Sequence, residues 1–322
     1  MLVAVVGAGV NGLAAAAALA RDGHEVVVHE QHELDHHRGS SHGRSRIFRL
    51  SYPEPHWVQL AMEAHDGWRA LEEETGELLI HYTGLLELGE TSEEALDACG
   101  VPWEALEPDA VALRFGIRTE GRVLLQPEAG ISLADRARRA FVSVARRHGA
   151  TFRERARVES LAALDADVVV VAAGGWAKPL LAAEGIALDV AVTRETVAYF
   201  AVERSVPSVI DYGRGPGEAM YALRDPVHGL KAGAHVAGPV ANPDEAGEPE
   251  PALVDATAEW VRERFPEAGP VVAAETCLYT STPDRSFVLE RRDRIVVGSA
   301  CSGHGFKFAP AMGARLAALA TG

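Results

Sequence analysis

The chain is poor in cysteine, in positive charge and in long apolar runs, and each shortage removes a class of protein. Its 322 residues hold three cysteines, Cys99, Cys277 and Cys301. An odd number at wide spacing, with no CxxC pair, fits neither a disulfide framework nor a structural zinc site. A reducing, cytoplasmic compartment is the natural expectation. Lys and Arg total 31 against 46 Asp and Glu, a formal charge of −15. Such a surface is repelled by nucleic-acid phosphates and anionic lipid, so neither is an expected partner. A local basic pocket could still draw in a small anion. The longest apolar runs, Leu13–Ala20 and Val168–Gly175, are too short to span a bilayer. The apolar N-terminus has no basic region before it and runs into a glycine motif, so it reads as a buried strand rather than a signal peptide. No internal repeat and no low-complexity linker stand out.

What is present suits a globular enzyme. Hydrophobic residues make up 48% and charged residues 24%, enough for one large domain or two interleaved ones with a sizeable core. The opening reads strand (Leu2–Val6), glycine turn (Gly7–Gly12), alanine-rich helix (Asn11–Arg21) and second strand (Glu25–His29). A polar His/Gly/Ser loop follows at Gln31–Ser45. The spacing of Trp57, Leu60, Ala61, Ala64, Trp68 and Leu71 predicts an amphipathic helix over Trp57–Thr75. Further helices are expected at Glu93–Cys99, Leu133–His148, Leu253–Phe265 and Pro310–Ala320. Buried strands are expected at Ala166–Ala172 and Arg294–Gly298. Alternating segments at Val197–Val202, Ala219–Leu223 and His228–Gly233 read as an antiparallel insertion, and Asn242–Pro251 as a surface loop. Parallel-type βα units at the start, middle and end, with strands between them, predict an α/β nucleotide domain built from three pieces and a substrate domain built from two insertions.

Gly7-Ala8-Gly9-Val10-Asn11-Gly12 is GxGxxG placed directly after a strand and opening a helix, with Glu30 eighteen residues beyond Gly12. Glycines permit the tight turn and close approach to a pyrophosphate. The helix N-terminus favours its charge, and the carboxylate can accept hydrogen bonds from a ribose. The motif alone does not separate NAD from FAD. Val168–Gly175 followed by Trp176, and the strand and turn Ile295–Gly305, are similar to the middle and late segments of FAD oxidoreductases. A simple NAD dehydrogenase has no reason to re-enter the nucleotide fold at its last residues.

Four blocks carry a closer likeness: the glycine motif with Glu30; Gly39–Tyr52 (GSSHGRSRIFRLSY); Leu230–His235 (LKAGAH); and Cys277–Asp284 (CLYTSTPD) continued by Gly303–Phe308 (GHGFKF). With these the chain resembles the monomeric sarcosine oxidase and N-methyltryptophan oxidase family along nearly its whole length. The resemblance implies a Rossmann-type FAD-binding domain (1–77, 131–190 and 279–322) with an inserted mixed or antiparallel substrate domain (78–130 and 191–278). It implies a cofactor site at Gly7, Gly9, Asn11, Gly12, Glu30, Ser41, His42, Arg46, Gly174, Trp176, Cys277, Gly303, Gly305, Phe306 and Lys307, with a thioether from Cys277 to the flavin. By the same resemblance Arg49 and Lys307 hold a substrate carboxylate, which suits a planar guanidinium beside a point charge. Lys231 faces the flavin and assists reduction of oxygen. His235, Tyr221, Tyr279 and Tyr52 fall near active-site positions. Cys277 is expected to end a strand and lead into a turn. Cys301 reads as structural, and Cys99 as a core or surface thiol.

The implied activity is oxidation of the C–N bond of a small secondary amino acid, N-methylated or cyclic, to an imine, with O2 reduced to H2O2 by a monomeric protein. The chain is shorter than the family pattern, and the shortening falls in the substrate domain, which leaves the choice of substrate open. Other readings stay in play. A flavin dehydrogenase of the same fold would use another acceptor, an NAD-dependent oxidoreductase would lack flavin, and a non-catalytic flavin protein would not turn over.

Overall fold

The computed structural model describes residues 1–89 and 92–322. Two large sheets organise them. The first runs Val288–Arg292, Ile295–Ser299, Val168–Val171, Leu2–Val6, Glu25–His29, Thr151–Arg153, parallel throughout except for the antiparallel edge strand Val288–Arg292. Its valines have no polar alternation because both faces are covered. Val3, Val5, Val168 and Val170 enter one core with the helices Val10–Arg21 and Ala309–Thr321. Ala4, Val6, Val169 and Val171 enter another with Leu161, Leu181 and Leu188. The alanine-rich stretch Leu13–Ala20 is explained by close packing: a Cβ on Gly313 would sit 2.6 Å from Ala14 Cβ.

The second sheet runs Val271–Ser281, Ala191–Ala201, Gly229–His235, Ala219–Asp225, Ser208–Tyr212, Leu85–Leu88, Val123–Gln126, Glu104–Leu106. It is antiparallel apart from the parallel pair Ser208–Tyr212 and Leu85–Leu88, which joins the two insertions into one surface. The helix Pro251–Arg264 packs on one face with Ala198, Phe200, Ala222, Leu230 and Ala232. Period-two alternation then sends Lys231, Gly233 and His235 to the opposite face. A third, three-stranded sheet pairs Arg46–Phe48 and Ile80–Tyr82 with Gly130–Ser132.

Several expectations are corrected. The strand Val271–Ser281 does not end at Cys277; it continues four residues further, pairing Cys277 with Glu195 and Tyr279 with Thr193. Helices differ from the expected limits by up to two residues: Val10–Arg21, Pro55–Thr75, Ala134–Arg147, Pro251–Arg264 and Ala309–Thr321. The helix Pro108–Phe115 was not expected, and the strand Ser208–Tyr212 falls within the antiparallel insertion.

One buried ion pair ties the covering helix to the second sheet. Asp211, 2% exposed, accepts from Trp260 Nε1 at 2.7 Å and Arg264 Nε at 2.8 Å. Asp211→Ala leaves the buried Arg264 guanidinium only the longer contacts to Glu120 and Arg118 O, so unfolding free energy in urea, followed by far-UV circular dichroism, should fall by about 3 kcal/mol.

Candidate active site

Two adjoining cavities lie where the sheets meet. The first, of about 610 Å³, is walled by Gly7, Gly9, Asn11, Glu30, Ser41, His42, Gly174 and Trp176, among others. The second, of about 440 Å³, is walled by Arg46, Arg49, Tyr221, Lys231, His235, Cys277, Tyr279, Gly303, Gly305, Phe306 and Lys307, among others. Asn11, Ser41 and Cys301 belong to both walls. Every site residue expected from the sequence therefore borders this space except Gly12, which lies beneath the glycine turn. A Cβ on Gly12 would come within 2.1 Å of Gly7 O. Gly7 itself has φ +101°, and a side chain there would meet Ala172 O at 2.6 Å, so the turn demands glycine at both places.

The first cavity fits a dinucleotide. The helix Val10–Arg21 starts at its wall, where its N-terminal dipole favours a pyrophosphate. Glu30, buried at the end of its strand, accepts from Ala8 N at 2.8 Å and His32 N at 3.0 Å. Among the described residues Asn11 Oδ1 and His42 Nδ1 are buried with no hydrogen-bond partner, as groups awaiting a polar ligand would be. Trp176 is fixed by Asp244, which accepts from its Nε1 at 2.8 Å and from Arg157 Nη1 at 3.0 Å. That contact lays the loop after strand Gly229–His235 along the cavity wall.

The second cavity is cationic. Arg46 is clamped by main-chain carbonyls, donating to Ser45 O and Ser40 O at 2.9 Å and to His42 O at 2.6 Å. Lys231 Nζ approaches Ser45 O at 3.4 Å. Burial, and then the Arg46 charge, pull Lys231 down to about 7, so ammonium and amine are both accessible near neutrality. Lys307 donates to Tyr52 Oη at 3.0 Å and His304 O at 2.8 Å, and its own carbonyl accepts from Trp68 Nε1 at 2.7 Å. Burial and then Arg49 push it well below the usual lysine range. Among the described residues, none of these three cations has a carboxylate within salt-bridge distance.

Arg49 differs. Its Nη1 donates to Glu87 Oε1 and Tyr212 Oη, both at 2.9 Å. Burial opposes its charge, but Tyr212, Tyr52 and Glu87 outweigh burial and raise it. Glu87 is fully buried and also accepts from Ser51 Oγ at 2.9 Å and Ser92 N at 3.2 Å. Sequence reasoning passed over Glu87 and Tyr212. The signal was there in Glu87: an acid inside the apolar run Leu85–Leu88 requires a buried cation.

His42 and His235 are both driven down to about 3, chiefly by burial, with Arg46 second for His42 and Arg49 second for His235, so both are neutral. Burial raises Tyr221 and Tyr279. It also raises the Cys277 thiol, against the pull of Arg46 and Lys231. Cys301, expected to be merely structural, shares the cavity wall, with its Sγ 3.7 Å from Ser40 Oγ. Cys99 is half-buried beside Pro55 O.

A glycine turn and an acidic residue at a strand end beside one cavity, continued by a second cavity lined with basic side chains under an antiparallel sheet, define an FAD-dependent oxidoreductase. The family model described as FAD dependent oxidoreductase (DAO) matches residues 3–319, and the chain belongs to that family. It is 32% identical to the peroxisomal sarcosine oxidase of Mus musculus, over 96% of this chain and 89% of the relative. It is 28% identical to a monomeric sarcosine oxidase of a Bacillus species, over 99% and 91%. Among solved structures, NikD, described as an unusual amino acid oxidase essential for nikkomycin biosynthesis, superposes with a TM-score of 0.87 at 27% identity, covering 99% of this chain and 93% of that one.

Proposed function

We propose that this protein oxidises the C–N bond of a small secondary amino acid, N-methylated or cyclic, and passes the electrons to O2 as H2O2. The single observation carrying this reading is the surplus of basic side chains lining the second cavity. Arg49 is already balanced by Glu87, while Arg46, Lys231 and Lys307 face the same space with no described carboxylate of their own. A cavity so charged is suited to an anionic ligand. The names of the sarcosine oxidase relatives agree with a small amino acid.

FAD, when bound, supplies the two-electron acceptor. Gly7, Gly9, Asn11, Gly12, Glu30, Ser41, His42, Gly174 and Trp176 would hold its dinucleotide. Arg46, Gly303, Gly305 and Phe306 would border its ring system, and Cys277 would bind it covalently. Arg49 and Lys307 hold the substrate carboxylate and so orient the carbon next to nitrogen. Neutral His235, with Tyr221 and Tyr279, closes the wall around the amine without adding a charge, which favours binding of the neutral amine. Lys231 places a positive charge where electrons pass to oxygen. The proposal extends to a monomer in a reducing compartment, in keeping with three unpaired cysteines. Among the described residues no helix is long and apolar enough to cross a membrane.

A screen of N-methyl and cyclic amino acids for peroxide release, run beside dye reduction under argon, tests the proposal. At least one such acid should give peroxide faster in air than it reduces dye. Lys307→Met probes the carboxylate grip more cleanly than a change at Arg49, which would strand Glu87. It should raise KM for the best substrate about 10- to 100-fold, with a smaller fall in kcat.

A further inference from the structure

Tyr52 has no part in the chemistry above, yet it touches both proposed carboxylate-binding cations. The Arg49 guanidinium carbon lies 4.1 Å from the centre of its ring. Lys307 Nζ donates to its hydroxyl at 3.0 Å. The side chain is buried.

The direction of that hydroxyl can be deduced from its far side. His304 Nε2 lies 3.1 Å from the carbonyl oxygen of Arg285. A carbonyl only accepts, so Nε2 carries the hydrogen. Burial, and then Lys307, push His304 well below its ordinary range, so the ring is neutral and Nδ1 is a bare acceptor. Nδ1 is 3.3 Å from the Tyr52 hydroxyl, which therefore donates to it and turns its lone pairs toward Lys307. A one-way chain results: Lys307 to Tyr52, Tyr52 to His304, His304 to the Arg285 backbone.

Two cations in a dry cavity repel, and a buried lysine tends to shed its proton. Tyr52 counters both effects. Its electron-rich face lies against Arg49, and its oxygen accepts from Lys307 Nζ, a bond that favours the charged lysine. We propose that Tyr52 is a positioning residue for substrate recognition, with ring and hydroxyl holding Arg49 and Lys307 as a preformed seat for a monocarboxylate, and His304 fixing the hydroxyl's direction. The proposal rests on the reading of Arg49 and Lys307 as the carboxylate grip.

Tyr52→Phe keeps the ring and removes the hydroxyl, and Lys307→Met serves as its comparison. On flavin-loaded protein, benzoate binding is followed by perturbation of flavin absorbance, and KM and kcat are measured with the best amino acid from the peroxide screen. Tyr52→Phe should weaken benzoate and raise KM by the same factor, about tenfold, while kcat changes less than about threefold. In the double variant the two losses should fall short of multiplying, because both remove one interaction. Unchanged benzoate affinity in Tyr52→Phe, where Lys307→Met weakens it, would overturn the positioning role and leave the carboxylate grip standing. So would a fall in kcat equal to that in kcat/KM with benzoate unaffected. If Lys307→Met itself changes neither benzoate affinity nor KM, the carboxylate grip fails and the role of Tyr52 falls with it. The flavin spectrum and the thermal midpoint report whether each variant is folded.

Discussion

Cys277→Ala should convert a flavin that stays with the acid-precipitated protein into one released entirely to the supernatant. The position suits attachment. Cys277 lies inside the strand Val271–Ser281, and alternation turns it and Tyr279 to the cavity while Leu278 is buried beneath. A strand interior holds its side chain more tightly than a turn, so the sulfur is presented to one place. Burial raises the thiol, but Arg46 and Lys231 act in the opposite sense and favour the thiolate that must form the bond. Cys301 borders the same cavity and is the natural control. Cys301→Ala should keep the flavin bound through denaturation, and peptide mass analysis should find the adduct on Cys277. Flavin still attached in Cys277→Ala would assign the link elsewhere.

Lys231→Met should slow the reaction with oxygen by about 10²- to 10³-fold, the usual loss when a preorganised charge is removed from a dry site. Bleaching of the flavin by substrate without air should slow far less. Lys231 is 6% exposed, and alternation along Gly229–His235 turns it to the cavity. It stands beside Arg46 without a described counter-charge, and under the proposed role its ammonium form is favoured as negative charge develops on oxygen. Stopped-flow absorbance, with substrate and oxygen added in turn, separates the two halves. Equal slowing of both would place Lys231 in substrate binding instead.

Much of this site was legible in the sequence because its signals are local. The order of strand, glycines, helix and acid is confined to the first thirty residues and has one steric logic, seen in the short approaches at Gly7 and Gly12. Alternation in His228–Gly233 read as a strand, and the strand Gly229–His235 turns Lys231 and His235 to the cavity while Leu230, Ala232 and Ala234 enter the core. The amphipathic face from Leu60 to Leu71 is buried as expected. Other features depend on distant partners. The cluster after Cys277, Tyr279, Thr280 and Ser281, was expected to lead into a turn. Threonine is also at home in strands, and pairing with Ala191–Ala201 decides the matter. The short strand Arg46–Phe48 exists only because Gly130–Ser132 pairs with it. The Arg49–Glu87 pair spans 38 residues and joins the segment after strand Arg46–Phe48 to strand Leu85–Leu88, so only the odd acid in an apolar run hinted at it. The one-way chain through Tyr52 and His304 spans 252 residues and has no local signature.

The most direct test mixes purified, flavin-loaded protein with an N-methyl or cyclic amino acid under argon and then admits air. Flavin absorbance should bleach and then recover in air, with one H2O2 formed for each substrate consumed. Absorbance unmoved by every such amino acid, or a bleached flavin that persists in air, would contradict the proposed function.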